Sequence, residues 1–204
     1  MERSKTQISA LTEANGISRQ EALAAIKTLL QWIGENPSRK GLHKTPERVL
    51  NSFAEFFQGY TIDPRELLEN AFENTEGYDE AVILRDIDIT SYCEHHMVPF
   101  IGKAHIAYVP DTRIVGISKL ARVADAYARR LQIQEQLTIQ IAAAINDVLK
   151  PKGVGVVIEA SHQCLSIRGV RKPNVSMVTS RMLGIFKTDP SLRASLMNLA
   201  AKSI

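Results

Sequence analysis

Apolar positions near the start of the chain recur at helical spacing. Ser18 and Glu21 stand three apart, as in a capping box, and Leu23, Ile26, Leu30 and Ile33 then mark one helix face. An irregular basic stretch, NPSRKGLHK, follows. Thr45-Pro46 supplies an N-cap and a first helical position for TPERVLNSFAEFF.

From about Ala81 the period shortens to two, as in strands. Ile87 and Ile89 alternate with Asp86, Asp88 and Thr90, and Phe100, Ala104, Ile106 and Tyr108 share one face of a second strand. Two amphipathic helices follow. In SKLARVADAYARRL the apolar side carries Leu120, Val123, Ala124 and Tyr127; in the next it carries Leu137, Ile141, Ile145 and Val148. GVGVVIEASHQC and VSMVTSRMLGIF read as two more strands, and Asp189-Pro190 opens a last short helix with Leu192, Leu196 and Leu199. Close strand pairs separated by helices predict an α+β fold, an antiparallel sheet with helices on one face. Such a sheet leaves a second face and two edges open, and oligomerisation is a common way to cover them.

Composition narrows the function. At 204 residues, with 45% hydrophobic and 23% charged positions, the chain suits one substantial domain, or a compact domain with a helical arm. A net charge of +3 is too small to imply nucleic-acid binding, so any anion preference must come from local clusters of Lys and Arg. No apolar run approaches the roughly 20 residues that span a bilayer. The N-terminal MERSKTQISALTEANG lacks the apolar core of a secretory signal, so the expected setting is cytoplasmic, with no membrane partner. Cys93 and Cys164 are the only cysteines. A reducing cytosol disfavours a disulfide, leaving buried thiols, a redox pair or metal ligands.

The strongest local signal is SYCEHHMVPF, where Cys93 and His96 stand in a C-x-x-H arrangement that lets one turn present a thiolate and an imidazole to one ion. Cys164 ends EASHQC. If that segment stays extended, His162 and Cys164 project from one face at the end of an apolar row. Three soft ligands, with His95 and His162 nearby, match a catalytic zinc site with an open position better than a structural site closed by four. Buried packing of isolated cysteines is the competing reading. His43 and His105 have no comparable neighbours and read as surface or core residues.

Two basic groups bear on anions. Ser118 precedes a helix that carries Lys119, Arg122 and Arg129, so the helix start is either a phosphate site or a capped, solvated basic face. Arg168, Arg171 and Lys172 follow Cys164 directly, which points to a substrate with negative charge near the metal. Glu135 opens the next helix, either to complement its dipole or to accept the ring N–H and amino group of a guanine. There is no G-x-x-x-x-G-K-[ST] loop, which excludes phosphate binding of that kind.

Taken together, TPERV, CEHHMVPF, GISKLAR, QEQLT, SHQC with RGVRKP, and TSRMLGIFK, in that order from about Thr45 to Lys187, resemble GTP cyclohydrolase I. The resemblance implies zinc (Zn2+) on Cys93, His96 and Cys164. It implies guanine on Glu135 supported by Gln134, the triphosphate among Arg48, Lys119, Arg122 and Arg168, Ser118 near the ribose, and His95 and His162 as proton-transfer groups. It further implies a tunnelling fold, with an N-terminal helical arm (residues 1–60) and a catalytic domain (61–204). Subunit sheets would join into a barrel, two pentamers would stack into a homodecamer, and the sites would lie between subunits. The implied reaction turns GTP into 7,8-dihydroneopterin triphosphate and formate, beginning tetrahydrofolate synthesis. Two rivals are an enzyme of the same fold using a cysteine nucleophile, which would need a thiol not held by zinc, and a zinc-stabilised module that binds a phosphorylated partner.

Overall fold

The computed structural model describes residues 16–74 and 76–201. The segment read above as lacking a secretory signal lies, except for Gly16, outside the described residues. The chain forms two compact units, one through Thr61 and one from Ile62.

In the first unit, α1 (Arg19–Trp32) packs with α2 (Thr45–Phe56). The capping box is present: the Ser18 hydroxyl accepts from the Glu21 N–H, and the Glu21 carboxylate accepts from the Ser18 N–H at 2.8 Å. At α2 the cap is Lys44 and Thr45 is already helical, one residue earlier than expected.

The second unit begins with a short α3 (Glu66–Glu69) and β1 (Phe72–Glu73). β2 (Val82–Cys93) and β3 (Pro99–Val109) form a long hairpin, and β4 (Arg113–Ile114) pairs with β1. The long helices are α4 (Ile117–Ala128) and α5 (Gln134–Leu149), with the two-residue β5 (Leu131–Gln132) between them. β6 (Gly153–His162) leads into a single helical turn, α6 (Gln163–Ser166). β7 (Met177–Gly184), α7 (Ile185–Thr188) and α8 (Pro190–Ala201) complete the chain. The main sheet has the order β5-β2-β3-β6-β7 and is antiparallel except where β5 joins β2.

The α+β class and antiparallel sheet are as expected, with both long helices on one face. Leu120, Val123, Tyr127, Leu137, Ile141 and Ile145 bury their apolar sides against Phe100, Ala104, Ile106, Tyr108, Val156 and Ile158. The opposite face is partly covered, a refinement of the expectation: Leu196 and Ala200 of α8 and Phe186 of α7 pack on Ala107, Val109 and Val157. Away from that helix the same face leaves Ile101 and Val178 half exposed. Ile106 is fully buried in the main core, so Ile106→Ala is expected to cost about 2–5 kcal/mol, read as a lowered denaturant midpoint.

One irregularity positions the site. Leu84 pairs with Ile106 and Ile87 with Ala104, so Arg85 and Asp86 oppose the single residue His105. Asp86 has φ +59°, and its N–H donates to His105 Nδ1 at 3.3 Å. This bulge shifts the side-chain parity of β2 by one. Val82 and Leu84 therefore share the helix-covered face with Ile87, Ile89 and, at the strand's end, Cys93. Without the bulge, Cys93 would point to the other face. His105 is thus a core residue, and burial pushes its pKa down.

Candidate metal centre and active site

The site forms where β2 turns into β3 beside the end of β6. After Cys93 the chain reverses tightly: the Met97 N–H bonds to the Cys93 carbonyl at 2.8 Å and the Cys93 N–H to the Val98 carbonyl at 2.9 Å. Met97 takes a left-handed φ of +55° to close the turn. This folding back sets His96 Nδ1 3.7 Å and His95 Nδ1 3.8 Å from Cys93 Sγ. Both histidines are exposed, whereas Cys93 is buried at the rim of the core.

Cys164 reaches the same point by a route the sequence pattern did not show. The strand ends at His162, and Cys164 lies in the helical turn α6, where the Ile167 N–H bonds to the Gln163 carbonyl and the Ser166 hydroxyl to the His162 carbonyl. The expectation of an extended row carrying His162 and Cys164 on one face is therefore corrected. Helical backbone turns the thiol away from strict alternation and toward Cys93, and His162 points elsewhere.

Candidate ligand atoms of Cys93, His96 and Cys164 all lie within 4.8 Å of one another. Tetrahedral zinc, with bonds of about 2.3 Å to sulfur and 2.0–2.1 Å to nitrogen, places neighbouring donors roughly 3.5–3.8 Å apart. The Cys93–His96 separation falls in that range. The thiol chemistry agrees. Burial pushes the Cys164 thiol up, the Cys93 thiol beside it adds to this, and Arg168 opposes it weakly. Two adjacent thiolates are unfavourable without a cation, and a dication removes that difficulty. The residues present fit zinc.

Around this cluster stand several of the expected site residues. Arg168 Nη1 donates to His96 Nε2 at 2.8 Å, from a loop in which Gly169 and Arg171 have φ +59° and +52°. The His162 ring stacks on Phe100, its partner in the β3–β6 register, with centroids 4.6 Å apart and planes 8° from parallel. Its Nε2 meets Gln134 Oε1 at 2.8 Å. Burial lowers the pKa of His162, while the Glu135 carboxylate pulls it back up. Glu135 is exposed in the first turn of α5 and makes no hydrogen bond through its side chain among the described residues.

Ser118, Lys119 and Arg122 project from the first two turns of α4. None has a side-chain hydrogen bond or ion pair among the described residues. Ser118 sits inside the helix and Gly116 caps it, so the reading of Ser118 as the residue before the helix shifts by two positions. Arg129 is paired with Asp125 at 2.8 Å. Arg48 is exposed on α2 of the first unit, likewise without a side-chain partner among the described residues. In the sequence Phe100 reads only as one of the residues that share a face of β3. Its second role, as the platform for His162, depends on cross-strand register.

No helix among the described residues is long and apolar enough to cross a membrane. The family model described as GTP cyclohydrolase I matches residues 22–201. Among solved structures, the chain is similar to an archaeosine synthase QueF-Like in the apo form, with 16% identity and a TM-score of 0.43, covering 51% of this chain and 93% of that one. It is also similar to a dihydroneopterin aldolase from Burkholderia thailendensis bound to guanine, with 12% identity and a TM-score of 0.34, covering 52% of this chain and 92% of that one.

Proposed function

We propose, on the premise that the chain belongs to the GTP cyclohydrolase I family, that it hydrolyses the imidazole ring of GTP, releases formate and rearranges the remainder to 7,8-dihydroneopterin triphosphate. The observation that carries this reading is the convergence of Cys93, His96 and Cys164 next to a half-buried, stacked His162. A zinc held by those three residues with a position left open would supply a Lewis acid and a water of pKa about 7.

The chain's own groups do the rest. His162 moves the proton at purine N7 as the ring opens, and His95, exposed beside the cluster, serves the second hydrolytic step that frees formate. Glu135 presents a carboxylate whose two oxygens suit the adjacent N–H groups of guanine, with Gln134 beside it in α5. Lys119, Arg122, Arg168 and Arg48 take the triphosphate, and Ser118 the ribose; among the described residues Ser118, Lys119, Arg122 and Arg48 have no side-chain partner, which supports this assignment. Arg168 has two states in this scheme. A guanidinium only donates, so His96 Nε2 accepts from it here. With zinc held through Nδ1, the nitrogen facing Cys93, Nε2 would carry the proton and the Arg168 guanidinium would be free to pair with phosphate.

The half-exposed Ile101 and Val178, together with β7, which pairs only with β6 among the described strands, support assembly through the sheet. We assign the homodecamer of two stacked pentamers on that basis and on family membership, with a cytoplasmic location, the N-terminal helices as an arm and 61–204 as the catalytic domain.

The reading is tested by incubating the purified, metal-replete protein with GTP and following formate and the ultraviolet absorbance of the pterin. Both should appear, and a strong chelator should abolish both. Binding of GTP without formate would overturn the chemistry; absence of binding would overturn the substrate.

A further inference from the structure

Gln134 is 1% exposed, and its amide is committed inside the protein. Its Nε2 lies 3.0 Å from the Ile158 carbonyl, 2.9 Å from the Met177 carbonyl and 3.1 Å from Thr179 Oγ1. Carbonyls only accept, so the nitrogen must face them. Turning the amide over would set its oxygen against two carbonyl oxygens, which fixes the orientation without reference to hydrogen positions. The Thr138 hydroxyl, 2.7 Å from the Gln134 carbonyl, donates to it, so the Thr179 hydroxyl donates to Thr138 Oγ1 at 2.7 Å. That leaves a lone pair of Thr179 for Gln134.

With Nε2 so placed, Gln134 Oε1 faces His162 Nε2 at 2.8 Å and can only accept. His162 must therefore carry a hydrogen on Nε2. The lone pair of its neutral ring lies on Nδ1, and the stack on Phe100 holds the ring plane.

We propose that Gln134 is a positioning residue for His162: it fixes the Nε2–H tautomer, makes Nδ1 the atom that exchanges a proton with substrate, and does not contact guanine through its side chain. This deepens, and rests on, the reading of His162 as a proton-transfer group. It also separates two adjacent residues. Buried Gln134 serves the histidine, and exposed Glu135 is left to hold the base.

The test combines spectroscopy with kinetics on the zinc-loaded protein. Nitrogen-15 spectra of histidine-labelled protein, with the His162 signals assigned by their loss in His162→Asn, should show Nε2 protonated and Nδ1 bare in the neutral ring. In Gln134→Met, which keeps length but loses both amide functions, the two signals should move toward an average of tautomers. Its kcat should fall about 10–100-fold, as when an orienting partner is removed, with KM for GTP within about twofold. A wild-type spectrum with hydrogen on Nδ1 overturns the proposal even if the variant fails to fold. So does a Gln134→Met enzyme whose KM rises while kcat holds. If GTP is not turned over at all, the functional reading fails, while the spectra still decide the tautomer.

Discussion

Cys93→Ser is expected to purify without stoichiometric zinc and to release formate from GTP about a thousandfold more slowly than wild type, or not at all, because the fall in the pKa of an activated water from 15.7 to about 7 is forfeited. Serine is close in size to cysteine but does not ionise near neutral pH, so the site keeps its shape and loses an anionic donor. Two of the three candidate ligands, His96 and Cys164, remain. They come from separate turns, so neither alone holds the other in place. Cys93 is buried at the edge of the core, but the polar replacement sits where the cluster opens, and a denaturant midpoint near the wild-type value separates loss of metal from loss of fold. The companion variant Cys164→Ser is the sharper control, because its backbone lies in an isolated helical turn rather than in the sheet. A zinc-free Cys164→Ser protein that still released formate would sink the metal assignment.

The physical basis of that expectation was only partly legible in the chain. The C-x-x-H spacing is local, and a local turn realises it, so Cys93 and His96 could be paired from sequence. The place of Cys164 could be guessed only by assuming that its strand continued. It does not: the backbone leaves the sheet after His162, and no residue in SHQC marks that end. Periodicity identified the buried faces of α4 and α5 because those helices are long and one-sided, and the Ser18–Glu21 cap because all of its bonds span three residues. The bulge opposite His105 left a trace. Val82 and Leu84 fall on even numbers while Ile87 and Ile89 fall on odd ones, and only an extra residue reconciles them on one face. The contacts of Gln134 with Ile158, Met177 and Thr179, and of Arg168 with His96, join residues 24 to 72 positions apart. No pattern within a segment encodes such pairings. They depend on the register of β3, β6 and β7, which is set by the whole sheet.

His162→Ala should separate proton transfer from metal binding: zinc content at the wild-type level, with kcat reduced by about 10²–10⁴, the usual contribution of a positioned acid–base group. The geometry supports this expectation. His162 is two residues from Cys164, yet it lies outside the cluster of candidate ligands, and its Nε2 is taken by Gln134. Removing the ring also has a structural cost. Gln134 Oε1 loses its donor, a penalty of about 1–3 kcal/mol for a buried acceptor, and Phe100 loses its stacked partner. His162→Asn is therefore the better-folded test, because a side-chain amide can still donate toward Gln134 without offering a group that titrates near neutrality. Both variants should bind zinc, and both should be slow. If zinc disappears with the ring, His162 is a ligand and the three-residue site is wrong. If kcat falls less than about threefold, far short of what an acid–base group contributes, the proton moves elsewhere. His95, 3.8 Å from the Cys93 sulfur and exposed, becomes the group to replace next.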